Sequence, residues 1–341
     1  LKACKSQQTN RTPVWMMRQA GRYLPEYRAV RAKTDFLTLC KTPELATEVT
    51  IQPVDILGVD AAIIFSDILV IPEAMGMELV VEEGKGGPRF PSPLRSKDDI
   101  NKIQIPDPND KLKFVMDALR LTRKSLADRV PLIGFSGSPW TLAAYMVEGH
   151  GSKNFRHAKE LIYSEPKLAH QLLDKLAKSV AAYLSAQIEA GAQAVQIFDT
   201  WGGILTQDAF QEFSLYYIRQ IIDETKTKGA PIIVFCKDCG HSLEKIAATG
   251  CSVVGLDWSN DIGIARKLIG NITALQGNMD PTILYTKPER IRQEVKMILE
   301  KFGKGNGHIF NLGHGILPDI PVEHAREFIN AVKEESVSFH S

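Results

Sequence analysis

The sequence predicts an α/β fold: a single (β/α)8 TIM-type barrel domain over residues 1–341, with one inserted hairpin and a cleft at the carboxyl-terminal mouth of the strands. Three observations predict it. Short apolar runs rich in branched residues recur eight times, at 14–17, 61–65, 131–135, 192–198, 231–235, 252–256, 273–276 and 308–312, and segments of helical period alternate with them. A chain of 341 residues falls within the roughly 200 to over 400 that such barrels occupy. The chemically unusual residues come just after the strand-like runs: Arg18 and Arg22 after the first, Asp67 after the second, Ser136-Gly137 after the third, Asp199 to Gly203 after the fourth and His314 after the eighth. A barrel gathers all of these at one mouth, whereas a doubly wound sheet, the alternative, gives the first and last no reason to meet.

Residues 14–17 form an apolar run long enough for a short buried strand, and the chain then turns abruptly basic. Gly21 and Pro25 prevent an immediate regular helix, so Arg18 and Arg22 fall in a loop past a strand end, where sites are commonly built. Five cations, Arg18, Arg22, Arg28, Arg31 and Lys33, suggest a polyanionic small molecule, because the guanidinium fork can give a carboxylate two parallel hydrogen bonds. For Arg28, Arg31 and Lys33 a solvated face with Glu26 and Asp35 as partners is the expectation. Arg18 and Arg22 lie beside Trp15, Met16 and Met17, where a charge is costly unless something pairs with it.

Thr42-Pro43-Glu44 carries the signals of a helix start, a capping Thr, a proline in the first turn and an early acid, for a helix through Thr50. The strand at 61–65 ends in Ser66-Asp67 and delivers a carboxylate to its carboxyl end, where Asp67 could cap a helix or pair with Arg18 or Arg22. Residues 77–90, with the turn 84–87, read as a hairpin outside the main repeat. The proline- and acid-bearing stretch 91–110 reads as a surface connection into a helix at 112–126, after which strands and helices alternate to the end.

Composition bounds the function. The chain is 44% hydrophobic and 24% charged, and 41 Lys+Arg against 40 Asp+Glu leaves a net charge of +1. That balance removes any global electrostatic case for nucleic acid or an anionic membrane, so an anion site has to be local. No apolar run approaches the ~20 residues that span a bilayer, and no charged-then-apolar secretory pattern opens the chain. A soluble cytoplasmic protein is expected, or a plastid one if a transit peptide precedes Leu1. Five cysteines spread over a long chain fit a reducing compartment rather than a disulfide framework.

The string Met17-Arg18-Gln19-Ala20-Gly21-Arg22-Tyr23-Leu24-Pro25-Glu26-Tyr27-Arg28 closely resembles the amino-terminal signature of the uroporphyrinogen decarboxylase family. Further stretches match the same family in the expected order, over nearly the whole chain. Ile63 to Leu69 resembles the segment whose aspartate, here Asp67, accepts hydrogen bonds from the pyrrole N–H groups of a porphyrinogen domed around it. Phe135 to Met146 resembles the segment carrying a site tyrosine, here Tyr145, with Ser138 where the family more often has alanine. Asp199-Thr200-Trp201-Gly202-Gly203 resembles Asp-Ser-Trp-Gly-Gly, and Thr200 keeps the hydroxyl that would meet a substrate carboxylate. Asn311-Leu312-Gly313-His314-Gly315 resembles the carboxyl-terminal signature, which gives His314 propionate binding first and proton handling second. Val254 to Trp258 matches as a strand end with a packing tryptophan.

The resemblance implies cofactor-independent, metal-free removal of carbon dioxide from the four acetate side chains of uroporphyrinogen III, leaving methyls and giving coproporphyrinogen III in tetrapyrrole synthesis. It also implies a homodimer. Asp67, Arg18, Tyr145 and His314 are the expected catalytic group, with Arg18 given the better claim to proton donation. Arg22, Thr200, Phe65 and Phe198 join them in binding substrate. Chemically, protonating a pyrrole ring carbon makes a cationic electron sink conjugated to the acetate, and a nearby carboxylate stabilises that cation.

Cys236-Lys237-Asp238-Cys239-Gly240-His241 offers two cysteines in redox-like spacing with a histidine nearby, but neither a haem-attachment pattern nor a second pair for a zinc ribbon. Zinc-dependent methyltransferases of related barrel architecture are the rival enzyme class, and they place His-x-Cys at this strand end with a further cysteine near the last strand. Lys237 and His314 stand there in this chain. The rival outside catalysis is a tetrapyrrole carrier, against which the presence of both Arg18 and Asp67 argues.

Overall fold

The computed structural model describes residues 1–81 and 87–340. Seven parallel strands, β1 (Ala62–Ile63), β2 (Leu132–Gly137), β3 (Ala194–Asp199), β4 (Ile232–Cys236), β5 (Val253–Gly255), β6 (Ala274–Gln276) and β7 (His308–Ile309), lie side by side in chain order. That order contains no reversal, so the doubly wound alternative falls away and the sheet curls into a TIM-barrel-like fold. The strands are mostly apolar on both faces because helices cover the outside while side chains fill the inside.

The expected first strand is reduced to one paired residue. Val14 forms a parallel bridge with Phe310 beyond β7, and its carbonyl accepts the Asp60 N–H at 2.8 Å just ahead of β1. The Asp60 carboxylate accepts the Val14 N–H at 2.9 Å and two guanidinium bonds from Arg11, at 2.7 and 2.6 Å. Val14 thus ties the two ends of the sheet together. Pairing stops there because side chains take the next donors: the Met16 N–H goes to Gln19 at 3.0 Å and the Met17 N–H to Asn311 at 2.9 Å. The same kind of diversion shortens β1, where the Phe65 N–H bonds the Thr50 hydroxyl at 2.9 Å.

Around the strands run α1 (Pro25–Arg31), α2 (Pro43–Leu57), α3 (Lys113–Leu126), α4 (Pro139–Glu148), α5 (Pro166–Glu189), α6 (Tyr216–Thr225), α7 (Ile262–Ile269), α8 (Pro288–Phe302) and α9 (Val322–Glu335). Helix α2 continues past Thr50 to Leu57 with Pro53 inside it. Thr42 precedes it without capping it, since its hydroxyl donates back to the Thr38 carbonyl at 2.8 Å. The stretch 91–110 is more than a surface connection. It holds helices at Lys97–Lys102 and Pro108–Lys111, the first started by a Ser96–Asp99 capping box, and it buries Leu94, Ile100 and Ile103. The hairpin survives as two backbone bonds of 2.9 Å between Val80 and Arg89, while residues 84–86 of its expected turn lie outside the described residues.

Inside the barrel, Trp15 donates to Gln276 at 3.0 Å and Gln276 donates to Gln196 at 3.2 Å, so polar groups from three strand positions form a hydrogen-bonded chain across the interior. Among the described residues, no helix is long and apolar enough to cross a membrane.

Candidate active site

At the mouth, the chain reverses after Val14 through Arg18, whose backbone is left-handed at φ 63°. That conformation is costly for a side-chain-bearing residue and persists only where the surroundings enforce it. Its neighbours do so by close approach. A Cβ on Gly21 would lie 2.9 Å from the Arg18 carbonyl, and one on Gly315 would lie 2.3 Å from Arg18 Cδ, so the arginine stem rests directly on the turn after the last strand. The Ile316 N–H pins the same turn to the Met17 carbonyl at 2.9 Å. Arg18 and Arg22 are both exposed, and among the described residues neither guanidinium donates a hydrogen bond. The internal pairing with Asp67 that the sequence left open for them is therefore not made, and both forks are open to a ligand. Arg28 instead donates to the Arg22 carbonyl at 2.8 Å, a structural use.

Asp67 is half-buried. One of its oxygens accepts the Leu69 N–H at 2.8 Å in a local turn, whereas the short helix that follows, Val70–Ala74, starts at Leu69 without any side-chain cap, so the expected capping role is corrected. Among the described residues the other oxygen has no partner. Burial pushes its carboxyl pKa up, while the Leu69 N–H and the nearby Arg18 charge pull it back. No ion pair joins Asp67 to Arg18, although each lies within the other's field.

Tyr145 stands on α4, which Ser138 starts by accepting the Thr141 N–H at 3.0 Å. The tyrosine is half-buried, its ring 6.0 Å from that of Phe155 and 6.2 Å from that of Trp201. Burial raises its phenol pKa, the hydroxyl's contact with Trp201 opposes this, and the charges of Asp67 and Arg18 reach it with opposite sign. Asp67, Arg18 and Tyr145 therefore share one region of the mouth.

Asp199 has a different task. It is fully buried and accepts hydroxyls from Ser138 at 2.6 Å, Thr141 at 2.8 Å and Ser214 at 2.6 Å. Thr141 passes the support on by accepting the Trp201 N–H at 3.2 Å. The carboxylate thus shapes the turn that presents half-buried Thr200 at the mouth, and Gly202 is required there because a Cβ would sit 2.4 Å from Asp199 Oδ2. Phe198 meets Phe135 at 5.7 Å and Phe235 at 6.0 Å, an aromatic row that continues to His314, 6.4 Å from Phe235. Phe65 belongs elsewhere, packed on Tyr27 at 5.6 Å and Phe36 at 6.0 Å beside the basic loop.

His314 lies between Phe235 and Trp258, the latter ring perpendicular at 6.3 Å. Burial, then the charges of Arg18 and Lys237, push its pKa down to about 4. At neutral pH it is an uncharged imidazole that can give or accept a hydrogen bond without forming an ion pair. Trp258 is not a packing residue, being 42% exposed. Lys237, which in the sequence stood out only for occupying the place of a zinc ligand, directly follows β4 and satisfies the same strand-end rule as Arg18 and Asp67. Cys236 and Cys239 are buried free thiols, Cys236 held high by its hydrogen bond with Cys239 and by burial, while His241 is exposed. Among the described residues no three His, Cys, Asp or Glu side chains group to hold a metal ion.

Comparison with known proteins follows the same lines. The family model described as uroporphyrinogen decarboxylase (URO-D) matches residues 1–335. A uroporphyrinogen decarboxylase from Chlorobium phaeovibrioides is 56% identical, covering 100% of this chain and 98% of its own length. One from an Enterobacter species is 57% identical, covering 100% of this chain and 97% of its own length. Among solved structures, a methyltransferase from Methanosarcina mazei superposes with a TM-score of 0.83 at 21% identity, covering 98% of this chain and 97% of its own. A B12-independent methionine synthase from a Shewanella species gives 0.57 at 11% identity over 97% and 96%. At those identities the two structures share the fold and nothing finer.

Proposed function

Because the chain belongs to the uroporphyrinogen decarboxylase family, we propose that the mouth of its barrel holds uroporphyrinogen III around Asp67 and that Asp67, Arg18, Tyr145 and His314 serve its conversion to coproporphyrinogen III. The enzyme is a carboxy-lyase of tetrapyrrole biosynthesis. Each turnover converts a CH2–COO⁻ side chain and one proton into a methyl group and carbon dioxide. Protonation of a pyrrole ring carbon supplies the electron sink, so the chemistry asks for no metal or organic cofactor.

What carries the reading is the second oxygen of Asp67, a half-buried carboxylate that among the described residues joins no ion pair, within reach of the Arg18 charge. An ionised carboxylate only accepts, and the inward N–H groups of a flexible porphyrinogen only donate, so the two are complementary. Its charge, held in a partly desolvated place, favours the pyrrole cation more than it would in water. Arg22 and Thr200 hold peripheral carboxylates, and the Phe198 row offers an apolar floor for the pyrroles. Tyr145 and the neutral His314 contribute single hydrogen bonds. Arg18 is the proton donor in this reading, directly or through water. A guanidinium is a very weak acid, so the acceptor has to be strongly basic. A homodimer and a reducing cytoplasm, in keeping with five free thiols, complete the proposal.

The test is carbon dioxide release and coproporphyrinogen formation from enzymatically generated uroporphyrinogen III, with Asp67→Asn as comparison. The amide keeps the shape and loses the charge, so the folded variant should lose at least about a hundredfold in kcat, the scale of removing one transition-state electrostatic contact. Unchanged turnover in that variant would remove Asp67 from the mechanism.

A further inference from the structure

A macrocycle with an acetate and a propionate on each of four pyrroles carries carboxylates around its whole rim, yet Arg18 and Arg22 both follow Val14. In the ring of strand positions, Val14 is first and β4 is fifth of eight, so the end of β4 faces the basic loop across the mouth. The residue there is Lys237. We propose that Lys237 binds a side-chain carboxylate of the substrate on the wall opposite Arg18 and Arg22, and that Asp238 holds its ammonium until substrate displaces it. This rests on the family reading of the substrate.

The mount is rigid while the side chain is only lightly held. The Lys237 N–H donates to the Asp199 carbonyl at 3.1 Å, and its own carbonyl accepts the Gly203 N–H at 3.1 Å and the Cys239 thiol at 3.2 Å. The backbone of Lys237 is therefore tied to the turn that presents Thr200. The next residue, Asp238, is left-handed at φ 58°, with its N–H on buried Asp257 at 2.5 Å and its Cβ against Gly203. By contrast, among the described residues the ammonium has one ion pair, with Asp238 at 2.5 Å, and side-chain exposures are 24% for Lys237 and 53% for Asp238. A pair that is half open to water contributes little to stability, so a fold has scant reason to keep it for that purpose. The ammonium also lies 5.6 Å from the centre of the exposed Trp258 ring, whose edge meets His314. The Arg18 stem rests on Gly315, next to His314, and after burial Arg18 and Lys237 are the charges that act most on that imidazole, so both cations reach the same side chain.

A lysine kept to neutralise Asp238 and a lysine kept for substrate predict opposite effects of removing the aspartate. Steady-state decarboxylation of uroporphyrinogen III would be compared for wild type, Lys237→Met, Lys237→Gln, Lys237→Arg and Asp238→Asn, with thermal melts of each. The expected result is a KM raised about tenfold in the Met and Gln variants with kcat within about twofold, much of the loss restored by Arg, and a KM lowered in Asp238→Asn. Two variants at Lys237 guard against one that fails to fold. Wild-type KM in a folded Met or Gln variant would overturn the proposal, as would a KM raised equally by Lys237→Met and Asp238→Asn. Should wild type itself release no carbon dioxide, the family reading fails; normal turnover with an indifferent Lys237 sinks this inference alone.

Discussion

Arg18 and Arg22 are four residues apart in one loop, both exposed, and they differ in what holds them. Arg18 is locked in a left-handed backbone with its stem on Gly315, and its charge reaches Asp67, Tyr145 and His314. Nothing comparable fixes Arg22. Arg22→Lys should therefore raise KM several-fold and leave kcat near wild type, because the point charge survives and only the fork is lost. Arg18→Lys should lower kcat together with kcat/KM if, as proposed, the geometry built around its guanidinium serves the transition state. Steady-state kinetics separates the two, and a raised KM alone in the Arg18 variant would reduce it to a binding residue.

Strand β2 and helix α5 show how an element can depend on a missing side chain. Gly134 lies in the middle of β2, and a Cβ there would stand 2.1 Å from Gln187 Oε1 and 3.2 Å from the Ala192 Cβ. Gln187 cannot simply swing away, since its amide nitrogen donates to the Phe135 carbonyl at 2.8 Å and ties α5 to the strand. Gly134→Ala should cost about 1–3 kcal/mol of stability as overpacking. A denaturant titration would measure it, and kcat at saturating substrate should be preserved because the site lies at the strand ends. The same logic explains why Ser138, a departure from the family's usual alanine, fits without disturbance: its hydroxyl caps α4 and joins the group on Asp199.

At the scale of the whole molecule, stability should respond to acid through two histidines. His308, fully buried on β7 and stacked on Phe302 at 4.3 Å, has a pKa lowered to about 4, mainly by burial, as does His314. In the unfolded chain each titrates near 6.5. Between about pH 6.5 and 4 the unfolded chain therefore binds more protons, so stability falls as pH falls through that window and the loss levels off below it. Asp67 and Asp199, raised by burial, act in the opposite sense, since protonating them on the approach to about 3.8 returns stability that their charged forms withhold. Measuring unfolding at pH 7 and pH 5 for wild type and His308→Gln isolates one contribution. The variant should lose less stability than wild type over that interval, and an equal loss would mean that His308 does not titrate this way.

Apolar runs separated by helical segments determined the α/β repeat, and single strand-end residues marked Arg18, Asp67, Thr200 and His314, because these are local patterns that a chain carries in its own order. The long string from Met17 to Arg28 named the family for the same reason. Other features depended on partners far away in the chain. Thr50, Gln19 and Asn311 take backbone donors that would otherwise extend strands, which leaves Val14 as a single bridge instead of a strand. Whether Asp199 is a site carboxylate or the hub of three hydroxyls, whether Trp258 packs or faces the mouth, and whether His314 is charged depend on burial and on neighbours from other strand ends. Desolvation and through-space charge act over distances that exist only after the barrel has closed, and for that reason tertiary structure alone decided them.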